Sequence, residues 1–173
     1  MNDFKYEVDD GKATIADYTG AGGGVIVPSM IDGFPVICIG DNAFCHCTSL
    51  SSITLPEGCT TIGYYAFSGC HGLNSITLPN SLTTISVGAF KRCTKLTSIT
   101  LPNSITTIAD YAFIGCTSLN SITLPNGVTT IGSSAFQGCT KLTSINIPEG
   151  CSIGEDAFYG CSGLTITIRD KEE

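Results

Sequence analysis

The chain has 173 residues, a net charge of −7, no tryptophan and only 13% charged residues. This length can bury the core of one domain, and the acidic balance argues against nucleic-acid binding, which needs a basic stripe for phosphates. The one basic cluster, Lys91, Arg92 and Lys95, is interpreted as a solvated surface.

The first 24 residues predict an N-terminal cap. Phe4–Val8 alternates apolar and polar residues, Asp9–Gly11 has turn chemistry, and Lys12–Ala16 alternates again, which is typical of a β-hairpin. Tyr18–Gly24 is rich in glycine but lacks the following helix and lysine of a phosphate loop. Residues 1–24 are therefore expected to form a β-hairpin cap and a glycine-rich link.

One unit then recurs along the chain. Leu96–Ser118 reads LTSITLPNSITTIADYAFIGCTS, and Leu119–Lys141 repeats it as LNSITLPNGVTTIGSSAFQGCTK. The same interval of 23 residues, shortened to 22 at the end, joins a leucine series and a phenylalanine series. The phenylalanines are Phe44, Phe67, Phe90, Phe113, Phe136 and Phe158. This period predicts a solenoid of about six coils over residues 25–168, followed by a charged tail at residues 169–173.

The spacing of apolar residues changes within one coil. Ile99–Leu101 alternates with period two and predicts a short strand, which Pro102 ends. Ile105–Ile108 predicts a second extended piece, and Ala112–Cys116 has nearly helical spacing but room for only a single helical or 3₁₀ turn. Stacked coils place equivalent strands in one parallel sheet with rungs about 4.8 Å apart.

The repeat L-x-x-I-x-L-P-x-x-[LIV]-x-x-I-x-x-x-A-F-x-x-C resembles the BspA-like subfamily of bacterial leucine-rich repeats, from Val25 to about Ile168. The fold expected is an α/β-type solenoid, mostly β: a right-handed coil with a parallel sheet on the concave side and short helical or 3₁₀ turns on the convex side. The resemblance implies a cell-surface or secreted protein, an adhesive role and no catalytic residues.

Cysteine and histidine are interpreted as structural. Six of the ten cysteines occupy one position per repeat and are predicted to be buried free thiols. They are Cys47, Cys70, Cys93, Cys116, Cys139 and Cys161. A zinc site at Cys45-His46-Cys47 with Cys70-His71 is an alternative, but two of these cysteines belong to the inward series, so no metal is predicted.

No break in the repeat brings together an acid, a base and a nucleophile. The chain is therefore predicted not to be an enzyme and to need no cofactor, and a metal- or thiol-dependent enzyme is the least favoured class.

The outward positions of the predicted strands form a polar ladder. They are Ser52, Thr54, Ser75, Thr77, Ser98, Thr100, Ser121, Thr123, Ser144 and Asn146. The ladder indicates either a solvated surface selected for β-propensity or an uncharged concave surface that binds a protein or glycan; an ice-matching plane is a third interpretation. The function predicted is a non-enzymatic interaction or adhesion module, and the alternative is a structural spacer without a ligand.

The location is predicted from what the chain lacks and from the resemblance. No apolar stretch is long enough to span a membrane, and the first residues lack the apolar core of a signal peptide. The chain is either cytosolic as written or the repeat portion of a longer exported protein, which the resemblance favours. We expect a cell-surface or secreted location, an extracellular protein or glycan as partner, no nucleic acid, no membrane insertion and a monomer in isolation.

Overall fold

The computed structural model describes residues 3–170, which form strands and turns only. The strands are β1 (Phe4–Asp9), β2 (Lys12–Tyr18), β3 (Gly23–Ile26), β4 (Met30–Ile31), β5 (Phe34–Ile39), β6 (Leu50–Thr54), β7 (Thr61–Ile62), β8 (Ser75–Thr77), β9 (Thr84–Ile85), β10 (Ser98–Thr100), β11 (Thr107–Ile108), β12 (Ser121–Thr123), β13 (Thr130–Ile131), β14 (Ser144–Pro148), β15 (Ser152–Ile153) and β16 (Thr165–Arg169).

Equivalent strands stack in parallel on two walls of the coil. The first wall consists of β3, β6, β8, β10, β12, β14 and β16, in which neighbours pair or contact each other. The second wall consists of β2, β5, β7, β9, β11, β13 and β15. The stack therefore has about seven turns, one more than predicted, because β2 of the expected cap pairs in parallel with β5 and so belongs to the solenoid.

A column of aromatic rings runs through the core. The rings of Phe67, Phe90 and Phe113 are stacked with centroids 5.4 Å apart, which confirms the continuous row that the repeat predicts. The column extends beyond the phenylalanine series, because Tyr18 stacks on Phe44 at 5.0 Å. Like residues thus become neighbours in space, and each coil buries the apolar face of the next.

The third side of the coil is a wall of turns. Each coil has two residues four positions apart with positive φ, such as Tyr65 (53°) with Gly69 (71°). Between them, backbone N–H groups bond alternately within the turn and to the next coil: Ser68 donates to Tyr65 O at 2.9 Å, and Phe67 donates to Ala89 O at 2.8 Å. A right-handed helix cannot continue through left-handed residues. The expectation of helical or 3₁₀ turns on this side is therefore wrong for the described part of the chain.

The N-terminal hairpin has the structure that its sequence predicts. β1 pairs with β2 in antiparallel fashion, and the turn residues Asp10 (φ 46°) and Gly11 (φ 68°) both have positive φ, as a type I′ turn requires. At the other end, Arg169 is the last residue of β16 and so begins the expected tail inside a strand. Met1 and Asn2 of the expected cap and residues 171–173 of the expected tail lie outside the described residues. Two expectations stay predictions: that the cap ends at residue 24 and the solenoid at residue 168, and that the first wall lies on the concave side of the stack.

Candidate functional site

The candidate site is the outward face of the first wall, which we call the Ser–Thr face. It consists of Ser52, Thr54, Ser75, Thr77, Ser98, Thr100, Ser121, Thr123, Ser144 and Asn146. Side chains alternate across a strand, so Ile99 points inward and is 4% exposed while Ser98 and Thr100 on either side of it are exposed. Nine of the ten residues are exposed, and Ser52 is half-buried.

The register of the strands aligns these side chains in two columns. Ser98 lies beside Ser121 and Thr100 beside Thr123, and the same pairing recurs in the preceding and following coils. The columns continue beyond the predicted residues, because Thr165 and Thr167 of β16 lie beside Ser144 and Asn146. Sequence analysis missed these two threonines, although the alternation in Thr165–Ile168 is the same as in every other coil.

Two shallow grooves lie along the edge of the Ser–Thr face, where the strands end at the Leu-Pro turns. The first has a volume of about 460 Å³ and includes Thr77, Asn80, Thr100 and Asn103. The second, of about 450 Å³, shares Thr100 and Asn103 with the first, so the two grooves are continuous. The exposed asparagines that follow Pro79, Pro102 and Pro125 were not predicted as site residues, although this Pro-Asn pair recurs in three consecutive coils.

Among the described residues that line these two grooves, Arg169 is the only charged one. Its Nη2 donates a hydrogen bond to the backbone carbonyl of Leu124 at 3.0 Å. The guanidinium makes no ion pair with any described residue, since the one salt bridge in this part of the chain joins Lys5 and Asp17. The grooves are therefore uncharged along most of their length and positive at the C-terminal end.

Hydrogen bonding distinguishes the Ser–Thr face from the threonines that immediately precede strands of the second wall. The hydroxyls of Thr60, Thr83 and Thr129, just before β7, β9 and β13, donate to backbone carbonyls of the preceding coil at 3.2 to 3.3 Å. None of the ten side chains of the Ser–Thr face bonds to another group among residues 3–170. Their hydroxyl and amide groups are consequently available to a ligand.

Four of the six repeated cysteines, Cys70, Cys93, Cys116 and Cys139, are buried in the core as predicted, whereas Cys47 and Cys161 at the two ends of the series are only half-buried. The Sγ of Cys116 donates to Phe90 O at 3.1 Å, and Cys93 donates to Phe67 O at 3.2 Å, a contact with the preceding coil that recurs along the stack. Burial raises the pKa of Cys116 to about 12. No disulfide joins any of the cysteines within the described residues 3–170. A thiol that stays protonated at neutral pH is a weak nucleophile, so burial does not activate Cys116 for nucleophilic chemistry.

The histidine and cysteine side chains of the alternative zinc site do not come together around one point. His71 Nδ1 lies 3.4 Å from Thr94 Oγ1, and the ring of His46 packs against Gly69. Within residues 3–170, no three His, Cys, Asp or Glu side chains are close enough to hold one metal ion. The same described residues include no helix of the length and hydropathy needed to cross a membrane.

The repeat matches the model of the BspA type leucine-rich repeat region, in 6 copies over residues 37–165. The chain belongs to the BspA-type leucine-rich repeat family. This BspA-type chain is similar to a T. pallidum leucine-rich repeat protein, with 35% identity and a TM-score of 0.85 over 94% of this chain and 88% of that one. It is also similar to a Faecalibacterium prausnitzii leucine-rich cell surface protein, with 32% identity and a TM-score of 0.80.

The lengths of these relatives differ. The match covers 100% of this BspA-type chain but 54% of the F. prausnitzii protein, so the chain spans about half the length of that relative. A Bacteroides capillosus leucine-rich repeat protein matches at 26% identity and a TM-score of 0.55, over 76% of this chain and 94% of that one. No curated protein sequence matches the chain. The family is a repeat scaffold and not a known enzyme family.

Proposed function

We propose that this chain is a non-enzymatic interaction or adhesion module of a cell-surface or secreted bacterial protein, and that its Ser–Thr face binds an extracellular protein or glycan. The observation that carries the proposal is the set of ten outward side chains that lie in register without partners among the described residues. A surface of unpaired donors and acceptors on a rigid sheet is organised for binding before the ligand arrives, so little ordering accompanies association.

The backbone of the first wall shapes the mode of binding. Backbone hydrogen bonds join β3, β6 and β8, then β10 and β12, then β14 and β16, so a ligand over these paired strands meets side chains and not an open strand edge. Five coils spaced about 4.8 Å apart extend the face by about 19 Å along the stack. The face itself carries no charge, which favours a neutral, hydrogen-bonding ligand over a polyanion.

The proposal is tested by a binding screen against extracellular-matrix proteins and neutral glycans. One variant places arginine at Thr77, Thr100 and Thr123, which are consecutive in one column of the Ser–Thr face. Three long cations on neighbouring coils cover the hydroxyls and repel each other, so the affinity of any ligand found should fall by at least about tenfold. Polyanions are omitted from the screen because the added guanidinium groups would bind them.

The matched control places three arginines on the second wall, at Thr84, Thr107 and Ser152, which are exposed there. This control adds the same charge and should bind as the unmodified chain does. Equal binding by the face variant and the control would remove the Ser–Thr face from the account. If the unmodified chain binds nothing in the screen, that result would favour the alternative function, a structural spacer without a ligand.

A further inference from the structure

The turns that follow the first-wall strands in three consecutive coils differ at one position. Each turn has an exposed asparagine directly after its proline. The three asparagines are Asn80, Asn103 and Asn126. The next residue is Ser81 in the first of these coils, Ser104 in the second and Gly127 in the third. Asn126-Gly127 is the one Asn-Gly pair in the sequence, and it lies in a turn.

The serine hydroxyls hold two of these turns against the preceding coil. Ser81 Oγ donates to Cys59 O at 2.7 Å. Ser104 Oγ donates to Leu82 O and also lies 3.3 Å from Asn80 O. Each of these bonds joins a turn to a backbone carbonyl of the coil before it. They therefore restrain the backbone that directly follows the asparagine.

Gly127 makes no such bond, although the same acceptors lie beside it. A Cβ at Gly127 would lie 3.7 Å from Asn103 O and 4.0 Å from Ile105 O, the two carbonyls that correspond to the acceptors of Ser104. The backbone N–H of Gly127 donates to no group within residues 3–170. Glycine also has more backbone freedom than any other residue. The third turn thus lacks the restraint that serine gives to the other two.

We propose that Asn126 is a site of spontaneous modification, at which the side-chain amide becomes a carboxylate without an enzyme. The backbone nitrogen of Gly127 attacks Cγ of Asn126, so that a new N–C bond forms and the bond from Cγ to Nδ2 breaks. The proton of the attacking nitrogen leaves with the amide group as ammonia. One water molecule then opens the five-membered cyclic imide at either of its two C–N bonds, which gives aspartate or isoaspartate.

The rate of this reaction depends on how easily the backbone nitrogen reaches Cγ. The approach requires rotation of the backbone between the two residues, and effective concentration rises when two groups can adopt the reacting geometry. At Asn103 the Cβ of Ser104 hinders that rotation, and the hydroxyl bonds of Ser104 oppose it. At Asn126 neither obstacle is present, so the two turns should react at different rates although they occupy equivalent places in the stack.

The modification would change the charge of the second groove at the edge of the Ser–Thr face. Asn126 and Arg169 both line that groove, and Arg169 is the one charged residue among its described lining residues. A carboxylate at position 126 adds one negative charge to the chain and lowers the positive potential at the C-terminal end of the groove. The modification concerns the chain itself, so its test does not depend on whether the Ser–Thr face binds a ligand.

Peptide mapping by mass spectrometry of the whole chain, incubated at neutral pH and physiological temperature, tests the proposal. Conversion at Asn126 should be at least about fivefold faster than at Asn103. Gly127→Ser copies the neighbouring coils and should slow conversion at Asn126 at least about fivefold. Ser104→Gly is the reciprocal change and should accelerate conversion at Asn103 by a similar factor. Circular dichroism checks that both variants keep the fold.

A second measurement separates the restraint given by the stack from the chemistry of the dipeptide. Ser104→Ala keeps a Cβ but removes the hydroxyl, so Asn103 of this variant should convert faster than in the unmodified folded chain. In urea, where the stack is lost, Asn103 should convert at the same rate in both chains. Equal rates at Asn103 and Asn126 in the unmodified folded chain, a rate at Asn126 that Gly127→Ser leaves unchanged, or no acceleration by Ser104→Ala would overturn the proposal.

Discussion

Replacing Phe113 by alanine measures how strongly each coil depends on its neighbours. The ring is fully buried and stacks on Phe90 and Phe136 at 5.4 Å on either side. Loss of a buried phenylalanine costs about 3–5 kcal/mol, and we expect the upper part of that range because the cavity opens between two coils that both lose a stacked ring. This is a large fraction of the 5–15 kcal/mol that typically stabilises a domain.

Phe158→Ala is the matched control, because it makes the same chemical change at the open end. Phe158 is half-buried and has one phenylalanine neighbour, Phe136 at 5.5 Å. Its replacement should cost about 1–2 kcal/mol, since less apolar surface returns to water. Urea unfolding followed by far-ultraviolet circular dichroism gives both free energies. Equal losses, or a larger loss at Phe158, would refute the reasoning that burial grows with the number of covering coils.

Two further predictions concern the glycines and the thiols. A Cβ at Gly132 would lie 2.5 Å from Asp110 N and 2.7 Å from Ala109 C, both backbone atoms, so Gly132→Ala should lower the free energy of unfolding by about 1–3 kcal/mol. At Gly127 the nearest atom to an added Cβ is Asn103 O at 3.7 Å, so Gly127→Ala should change the free energy by less than about 1 kcal/mol in the same urea assay. For the thiols, the folded chain holds protons that the unfolded chain releases above about pH 8.5, because burial raises the pKa of Cys116 to about 12. The contribution of this thiol to the free energy of unfolding should therefore be fully present below that pH. It should fall by about 1.4 kcal/mol per pH unit as the pH rises from about 8.5 towards 12. Cys116→Ala should reduce that slope between about pH 8.5 and 10.5, and an unchanged slope would contradict the assignment.

The interval of the repeat made the architecture predictable. Equal spacing of Phe67, Phe90 and Phe113 is enough to predict one column of rings, because stacking of coils converts a sequence period into contact. Tyr18 could not be placed in that column from the sequence. It differs in residue type, and it lies 26 residues before Phe44 instead of 23.

The turn wall was mispredicted for a local reason. Ala112–Cys116 has helix-like apolar spacing, but Tyr111 and Gly115 adopt positive φ at 58° and 71° and break any helix. Positive φ is uncommon for a tyrosine, so the sequence carries no clear signal for it. The bonds from each turn to the next coil stabilise this backbone, and they become apparent only in the stack.

The candidate site was predictable in its residues but not in its hydrogen bonding. Period-two alternation identifies Ser98 and Thr100 as outward, and both are exposed. Thr60 and Thr83, which immediately precede strands of the second wall, are exposed as well, yet their hydroxyls donate to backbone carbonyls of the preceding coil. Whether such a hydroxyl has a partner depends on where the stack places a backbone carbonyl 23 residues earlier in the chain. The β-propensity of the residue does not predict that position.

Deletion of one complete coil tests the stacked architecture most directly. Removing residues 96–118 joins Lys95 to Leu119, which then occupies the place of Leu96. The shortened chain should keep its β-type circular dichroism and a cooperative unfolding transition, and small-angle scattering should show a stack shorter by about 4.8 Å. Removal of residues 96–107, about half a coil, should abolish the fold. An unfolded chain after the full-coil deletion would contradict the account.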